Sequence, residues 1–494
     1  MGLFFFPRGG SAYVARYLSG ALSSAGWDVS LVSGSLGGAG APTHAATFFR
    51  GVDVHAMDYC PASGGPVTAR SPISYEDRAG APDVVLASVD PGLADAVATV
   101  WEPPFAAAGT TGADVVHLHH LTPQHDAVAR GWPNLPVLAH LHGTELKFIE
   151  AIEARAALAA ALGTTLAAVA EAEDGHDFAA VLDGEQDGLT PFTRGGAWRH
   201  GMFWAARLRK QARAADHLIA VSSRDRATAI ELLDLEPDRI SVIPNGVDLD
   251  LFGPRTLTRP ERRAAFRRWL VEDPRGWDEG GSPGTVTYGE RDLDRLLGTD
   301  GDATVLIYVG RFTAAKRVPA LIRAFARARD RFERPGSLVV WGGSPGEWED
   351  EHPLTVAGEV GADGIFFTGW RGHDDLPFGL AAADALVMSS VDDSYPQAPL
   401  EAMAIGLPVI ATRSGGFPSI VDMDGARPTG WLVAPDDVNA LADALAEAVN
   451  RPAELGRRGA NALVHARARF SWNGLVPHFE DAYAAAIEHH ADQG

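Results

Sequence analysis

The sequence predicts an α/β protein built from two doubly wound parallel sheets, and three observations carry that prediction. Short apolar runs recur without in–out alternation, the pattern of strands covered on both faces. Longer amphipathic stretches lie between them, as crossover helices require. The series occurs twice, on either side of a charged, Gly- and Pro-punctuated segment at 254–303. A length of 494 residues suits two or three domains.

In chain order, buried strands are read at Leu3–Phe6, Val29–Val32, Val115–Leu118, Val137–Leu141 and Leu218–Val221. The second series comprises Val305–Val309, Leu338–Trp341, Ile365–Thr368, Ala385–Met388, Val409–Ala411 and Trp431–Val433. The helix pattern at Val318–Arg329 gathers Leu321, Ile322, Phe325 and Ala326 on one face. Asp437–Val449 does the same with Leu441, Ala444, Leu445 and Ala448. Domains are therefore placed at 1–253 and 254–470, with a closing helix in 471–494. Segment 254–303 reads as an inter-domain stretch with a helix around Arg262–Leu270. Thr43–Ala113 exceeds one strand–helix unit, and 150–213 reads as an Ala-rich helical insertion turning at Gly195-Gly196. Insertions at strand ends can carry specificity or be neutral decoration.

Composition excludes several classes. The 42 Lys and Arg against 64 Asp and Glu give a net charge of −22, which argues against a nucleic-acid partner. A single cysteine, Cys60, forbids an internal disulfide and cysteine-based metal clusters. No apolar run reaches the ~18 residues of a membrane span. Met1–Pro7 has no charged n-region and no full apolar stretch, so no signal peptide is expected and the expected location is cytoplasmic.

Two segments carry chemistry. Strand Val305–Val309 runs into Gly310-Arg311-Phe312, with Lys316 read at the start of the following helix. A guanidinium and an ammonium at the carboxyl edge of a parallel sheet match a diphosphate, aided by a helix N-terminus. Solvated surface cations are the alternative. The second segment runs from Asp393 through Gln397, Ala398 and Glu401 to Pro408. The N–H groups of Gln397 and Ala398 open a helix and form an anion site there. Glu401, a turn further in, can accept hydrogen bonds from a ribose diol. An ordinary carboxylate complementing the helix dipole is the competing reading.

Together these segments resemble the GT-B retaining glycosyltransferases of family 4, the glycogen-synthase and mannosyltransferase type. The resemblance covers nearly the whole chain: Gly9-Gly10-Ser11, Asp114-Val-Val-His-Leu-His119, His140-Leu-His142-Gly143, Ala220-Val-Ser222 and Ile243-Pro-Asn-Gly-Val-Asp248 with Phe252. It continues through Gly310-Arg-Phe with Lys316, the loop ending Glu401-Ala-Met-Ala, Gly415-Gly416, Trp431-Leu-Val and Phe470-Ser471-Trp472. It implies two Rossmann-like domains facing across a cleft. It assigns Arg311 and Lys316 to the donor diphosphate, Glu401 to ribose, Gly9 and Gly10 to the donor phosphates, and His142 to the transferred sugar. Asp393 departs from it, standing where the first residue of the family's paired-glutamate motif would be.

The histidines His117, His119, His120, His140 and His142 raise the question of a metal, since residues two apart on a strand share a face. A metal hydrolase would add a carboxylate at a fixed interval and a barrel or sandwich pattern, which the sequence does not display, so no metal is expected. Gly34-Ser-Leu-Gly37-Gly38-Ala-Gly40 lacks the dinucleotide fingerprint, which argues against a nicotinamide cofactor. The resemblance implies a metal-independent, retaining enzyme whose co-substrate is a UDP- or GDP-linked sugar. The expected acceptor is a small polar metabolite or natural-product intermediate in a bacterial cell. A small-molecule thiol acceptor and a non-catalytic nucleotide-sugar-binding homologue are the alternatives.

Overall fold

A computed structural model describes residues 1–61, 66–76, 81–161, 163–168, 195–361 and 363–493. The chain forms two compact units, one made of residues 1–245 with 472–494 and the other of 246–471.

The first unit holds strands β1 (Gly2–Leu3), β2 (Ser30–Ser35), β3 (Asp53–Asp58), β4 (Ile73–Ser74), β5 (Val84–Val85), β6 (Val116–His119), β7 (Val137–Leu141), β8 (His217–Ala220) and β9 (Ile240–Val242). Its main sheet has the order β3-β2-β1-β6-β7-β8-β9, all parallel, while β4 and β5 pair apart. The order reverses between β1 and β6, so the carboxyl ends of those two strands border the crevice where such sheets take ligands. Helix Trp472–Gln493 belongs to this unit, where Trp472, Phe479 and Tyr483 bury against Val14, Leu18 and Leu22 of helix Gly10–Ser24 and against Leu138 and Ile219 of the sheet.

The second unit holds β10 (Thr304–Gly310), β11 (Gly336–Gly342), β12 (Ile365–Gly369), β13 (Ala385–Met388), β14 (Val409–Thr412) and β15 (Gly430–Val433). Their order is β12-β11-β10-β13-β14-β15, again parallel, with the reversal between β10 and β13. Helix Val318–Arg329 follows β10 and buries Leu321, Ile322 and Phe325. Helix Val438–Asn450 begins at Asp437, whose side chain accepts from the N–H groups of Asn439 and Ala440.

Several sequence expectations change. The run Leu3–Phe6 pairs as a strand only over Gly2–Leu3, and the Phe4 carbonyl instead accepts from the Tyr59 hydroxyl at 2.6 Å. Residues 246–253 lie with the second unit, where the Val247 N–H donates to the Phe470 carbonyl at 2.7 Å. Segment 254–303 is part of the second unit's core and not a linker. Its helix Arg259–Arg267 starts on a Thr258/Glu261 capping box, and Phe266, Trp269, Leu270 and Trp277 are fully buried. Thr43–Ala113 likewise contributes core, with the buried Trp101 packed against Phe4, their ring centres 5.2 Å apart and the rings tilted by 34°. Of the insertion at 150–213, helices Thr144–Ala161 and Gly201–Ala214 and the 3-10 turn Gly195–Trp198 are seen, and 169–194 lies outside the described residues.

Candidate functional site

In the second unit the candidate residues gather at the reversal between β10 and β13. Gly310 ends β10, Arg311 and Phe312 follow, and Ala314–Lys316 make a 3-10 turn before helix Val318–Arg329. Lys316 thus sits in the turn and not in the helix. Tyr308, fully buried in β10, donates its hydroxyl to the Arg311 carbonyl at 2.7 Å and fixes where the strand turns out. The loop after β13 is tied to this turn. Ser389 donates to the carbonyls of Lys316 and Arg317 at 2.8 and 3.0 Å, and the Val391 N–H donates to the Ala315 carbonyl at 2.9 Å. Lys316 Nζ then reaches both carboxylate oxygens of Asp393 at 2.6 Å.

The Asp393 loop is clamped from its other side by Gly415-Gly416. The Gly416 N–H donates to the Asp393 carbonyl at 2.7 Å. A Cβ on Gly415 would lie 1.9 Å from that carbonyl oxygen, and one on Gly416 2.1 Å from the Ser394 oxygen, so only glycine admits the loop this close. Helix Gln397–Ile405 begins after Pro396 with no side-chain cap, leaving the Gln397 and Ala398 N–H groups as its open positive end. It starts two residues ahead of the Pro399 start read from the sequence. Glu401 lies one turn in, 4% exposed, and burial pushes its carboxyl up to about 8. His373, on the loop after β12, has Nε2 3.7 Å from Glu401 Oε1 and packs edge-on against the buried Phe252. Neither Lys316–Asp393 nor His373–Glu401 is foreseen by sequence reasoning, because the partners are distant along the chain.

The first unit places its candidates at the carboxyl edge of its own sheet. Gly9 is the N-cap of helix Gly10–Ser24, with φ 88° in the left-handed region that favours glycine, and a Cβ there would meet nothing. The backbone at the start of this long helix is therefore uncovered. His142 follows β7 and is partly exposed. Its backbone N–H donates to Glu145 Oε1 at 2.9 Å, its ring Nε2 meets His119 Nδ1 at 3.0 Å, and Glu145 Oε2 meets His120 Nδ1 at 3.1 Å. Glu145 is fully buried and is a residue the sequence reading missed; its position on the turn after His142 is the signal that could have found it.

His117, His119 and His140 bring one ring nitrogen each within 4.8 Å of one another. Both nitrogens of His117 already hold hydrogen bonds, to the Tyr483 hydroxyl at 2.8 Å and to His140 Nδ1 at 3.2 Å. That leaves two uncommitted nitrogens where a structural ion wants about four ligands. Burial pushes His117, His119 and His142 well below the usual imidazole range and His140 down to about 3, so all four are neutral.

Comparison with known proteins bears on this arrangement. Residues 8–251 match the Glycosyltransferase Family 4 model, and residues 303–451 match Glycosyl transferases group 1. The D-inositol 3-phosphate glycosyltransferase 2 of Catenulispora acidiphila is 32% identical over 281 residues, covering 56% of this chain and 57% of that protein. The matched stretch thus spans little more than half the relative's length. The sucrose-phosphate synthase of Thermosynechococcus elongatus superposes with a TM-score of 0.60 at 18% identity, over 99% of this chain and 98% of that one. Anabaena HepE in complex with UDP-glucose gives 0.58 at 15% identity, over 98% and 100%. Among the described residues no helix is long and apolar enough to cross a membrane. The chain belongs to the family 4 glycosyltransferases and has the GT-B fold.

Proposed function

We propose that this protein transfers a sugar, with retention at the anomeric carbon, from a nucleoside-diphosphate sugar to a small polar acceptor. The observation that carries the reading is the cluster at the β10–β13 reversal. There Arg311, Lys316 and the open end of helix Gln397–Ile405 stand on hydrogen-bonded neighbouring loops, with Glu401 one turn behind. Cleaving the bond between an anomeric carbon and a diphosphate places negative charge on the leaving group. Fixed cations and helix N–H groups stabilise that charge where it develops, in the role a metal ion would otherwise fill. Glu401 accepts hydrogen bonds from the ribose, and His142 contacts the transferred sugar. No side chain is assigned as a covalent nucleophile, so departure and attack proceed on the same face. The inositol phosphate in the relatives' name makes a phosphorylated cyclitol the first acceptor to try, within the class of small polar metabolites.

The test is a donor panel of UDP-, GDP- and ADP-sugars with chelator present, each offered inositol phosphates, free sugars and small thiols. Products are read by mass spectrometry and proton NMR. An axial donor bond giving an axial product is the expected result. An equatorial product would overturn retention, and failure of every donor to bind or turn over would overturn the donor class.

A further inference from the structure

The histidines of β6 and β7 form a hydrogen-bonded set whose protons can be placed one by one. His117 and His119 share a face of β6 because side chains two apart do so, and the β6–β7 register sets His119 beside His140. Each neutral imidazole has one N–H and one lone pair, and the bond made at one nitrogen decides what the other carries. Glu145 accepts at one oxygen from the His142 backbone N–H, and its other oxygen lies 3.1 Å from His120 Nδ1.

His119 Nε2 and His140 Nε2 are buried and without a hydrogen-bond partner among the described residues, and both residues are at most 1% exposed. A buried N–H with no acceptor is rarer than a buried lone pair with no donor. Both protons therefore sit on Nδ1. His140 Nδ1 donates to His117 Nε2, and His117 Nδ1 donates to the Tyr483 hydroxyl oxygen. His119 Nδ1 donates to His142 Nε2 at 3.0 Å. His142 must then carry its own proton on Nδ1, the ring nitrogen that makes no hydrogen bond among the described residues.

We infer that His119 is a positioning residue that locks His142 in the Nδ1–H tautomer, so that His142 offers a neutral N–H donor to a hydroxyl of the transferred sugar. This rests on the proposed contact between His142 and that sugar. The arrangement suits a reacting ring that gains positive charge. A neutral donor orients a hydroxyl without placing a cation beside the anomeric centre. His140, stacked on His142 at 4.5 Å between ring centres, and Glu145, bonded to the His142 backbone, hold the ring's plane.

The test is nitrogen-resolved NMR of the histidine-labelled enzyme, with His142→Asn used to identify the His142 signals. A protonated Nδ1 and a bare Nε2 on His142 are expected, and the reverse pattern would overturn the inference. Kinetics give the second arm. His119→Phe removes the donor and is expected to lower kcat by about tenfold or more, the scale of one hydrogen bond of ~1.5 kcal/mol, with KM for the donor sugar within about twofold. His119→Asn keeps an amide donor and is expected to recover most of that loss. Wild-type kcat in a folded His119→Phe enzyme that still depends on His142 would overturn the positioning role. Full turnover in His142→Ala would instead remove the sugar contact while leaving the tautomer assignment standing.

Discussion

Lys316 Nζ lies 2.6 Å from each carboxylate oxygen of Asp393, joining the turn after β10 to the loop after β13. The side chains are 17% and 19% exposed, so the pair is largely shielded without being buried. The residue that departs from the family motif is thus the residue that holds one of the two candidate diphosphate cations. A shorter carboxylate at this position meets the ammonium directly.

The pair should couple energetically. A double-mutant cycle of Lys316→Met and Asp393→Asn is expected to give about 1–2 kcal/mol, between the values for exposed and buried pairs. Asp393→Asn should also depress turnover more than nucleotide affinity. Full turnover in a variant that merely melts earlier would reduce Asp393 to a stabilising role.

Arg311→Ala and Lys316→Ala should each leave the fold intact, since both side chains are partly exposed and truncation removes charge and not core. Turnover is expected to fall by about 2–4 kcal/mol of transition-state stabilisation, as when one oxyanion donor is lost. Steady-state kinetics beside circular dichroism check this. Wild-type rates in both would withdraw the diphosphate assignment.

Glu401 should leave a pH signature. Burial holds its carboxyl at about 8, above the ~4.3 of an unfolded chain. Between those values the folded state binds more protons than the unfolded one, so this residue makes stability decline as pH rises. Glu401→Gln removes that dependence. Its stability relative to the parent should climb from about pH 4.3 to about pH 8 and then level off. Denaturant melts across that range would show a flat difference if burial did not raise the carboxyl.

Transfer should need no divalent ion, because Arg311, Lys316 and the helix start supply the positive charge. Chelator should leave the rate unchanged. Activity that vanishes with chelator and returns with magnesium or manganese would refute this.

Much of the fold was legible because strands of a doubly wound sheet are continuous apolar runs, as at Val137–Leu141 and Ala385–Met388, both found with these bounds. The edge strands of the first sheet escaped. Asp53–Asp58 alternates polar and apolar residues along the rim of its sheet, and Ile240–Val242 is too short to stand out. Segment 254–303 looked like a linker because its charges dominate locally, whereas Trp269 and Trp277 reach distant partners such as Trp341 and Phe312. The site residues were legible where a motif is contiguous, as in Gly310-Arg311-Phe312. Their pairings were not, since Asp393 and His373 find Lys316 and Glu401 only through the order of the strands.

The most direct test of the donor site is calorimetric titration of nucleoside diphosphates, in chelator, into the parent protein and Lys316→Ala. The parent should bind the diphosphate without metal, and the variant should bind it roughly ten- to a thousandfold more weakly, as loss of a charge-assisted bond or two implies. Binding of the bare nucleoside should not change between them. Equal diphosphate affinity in both proteins, or binding that appears only with added metal, would contradict the account.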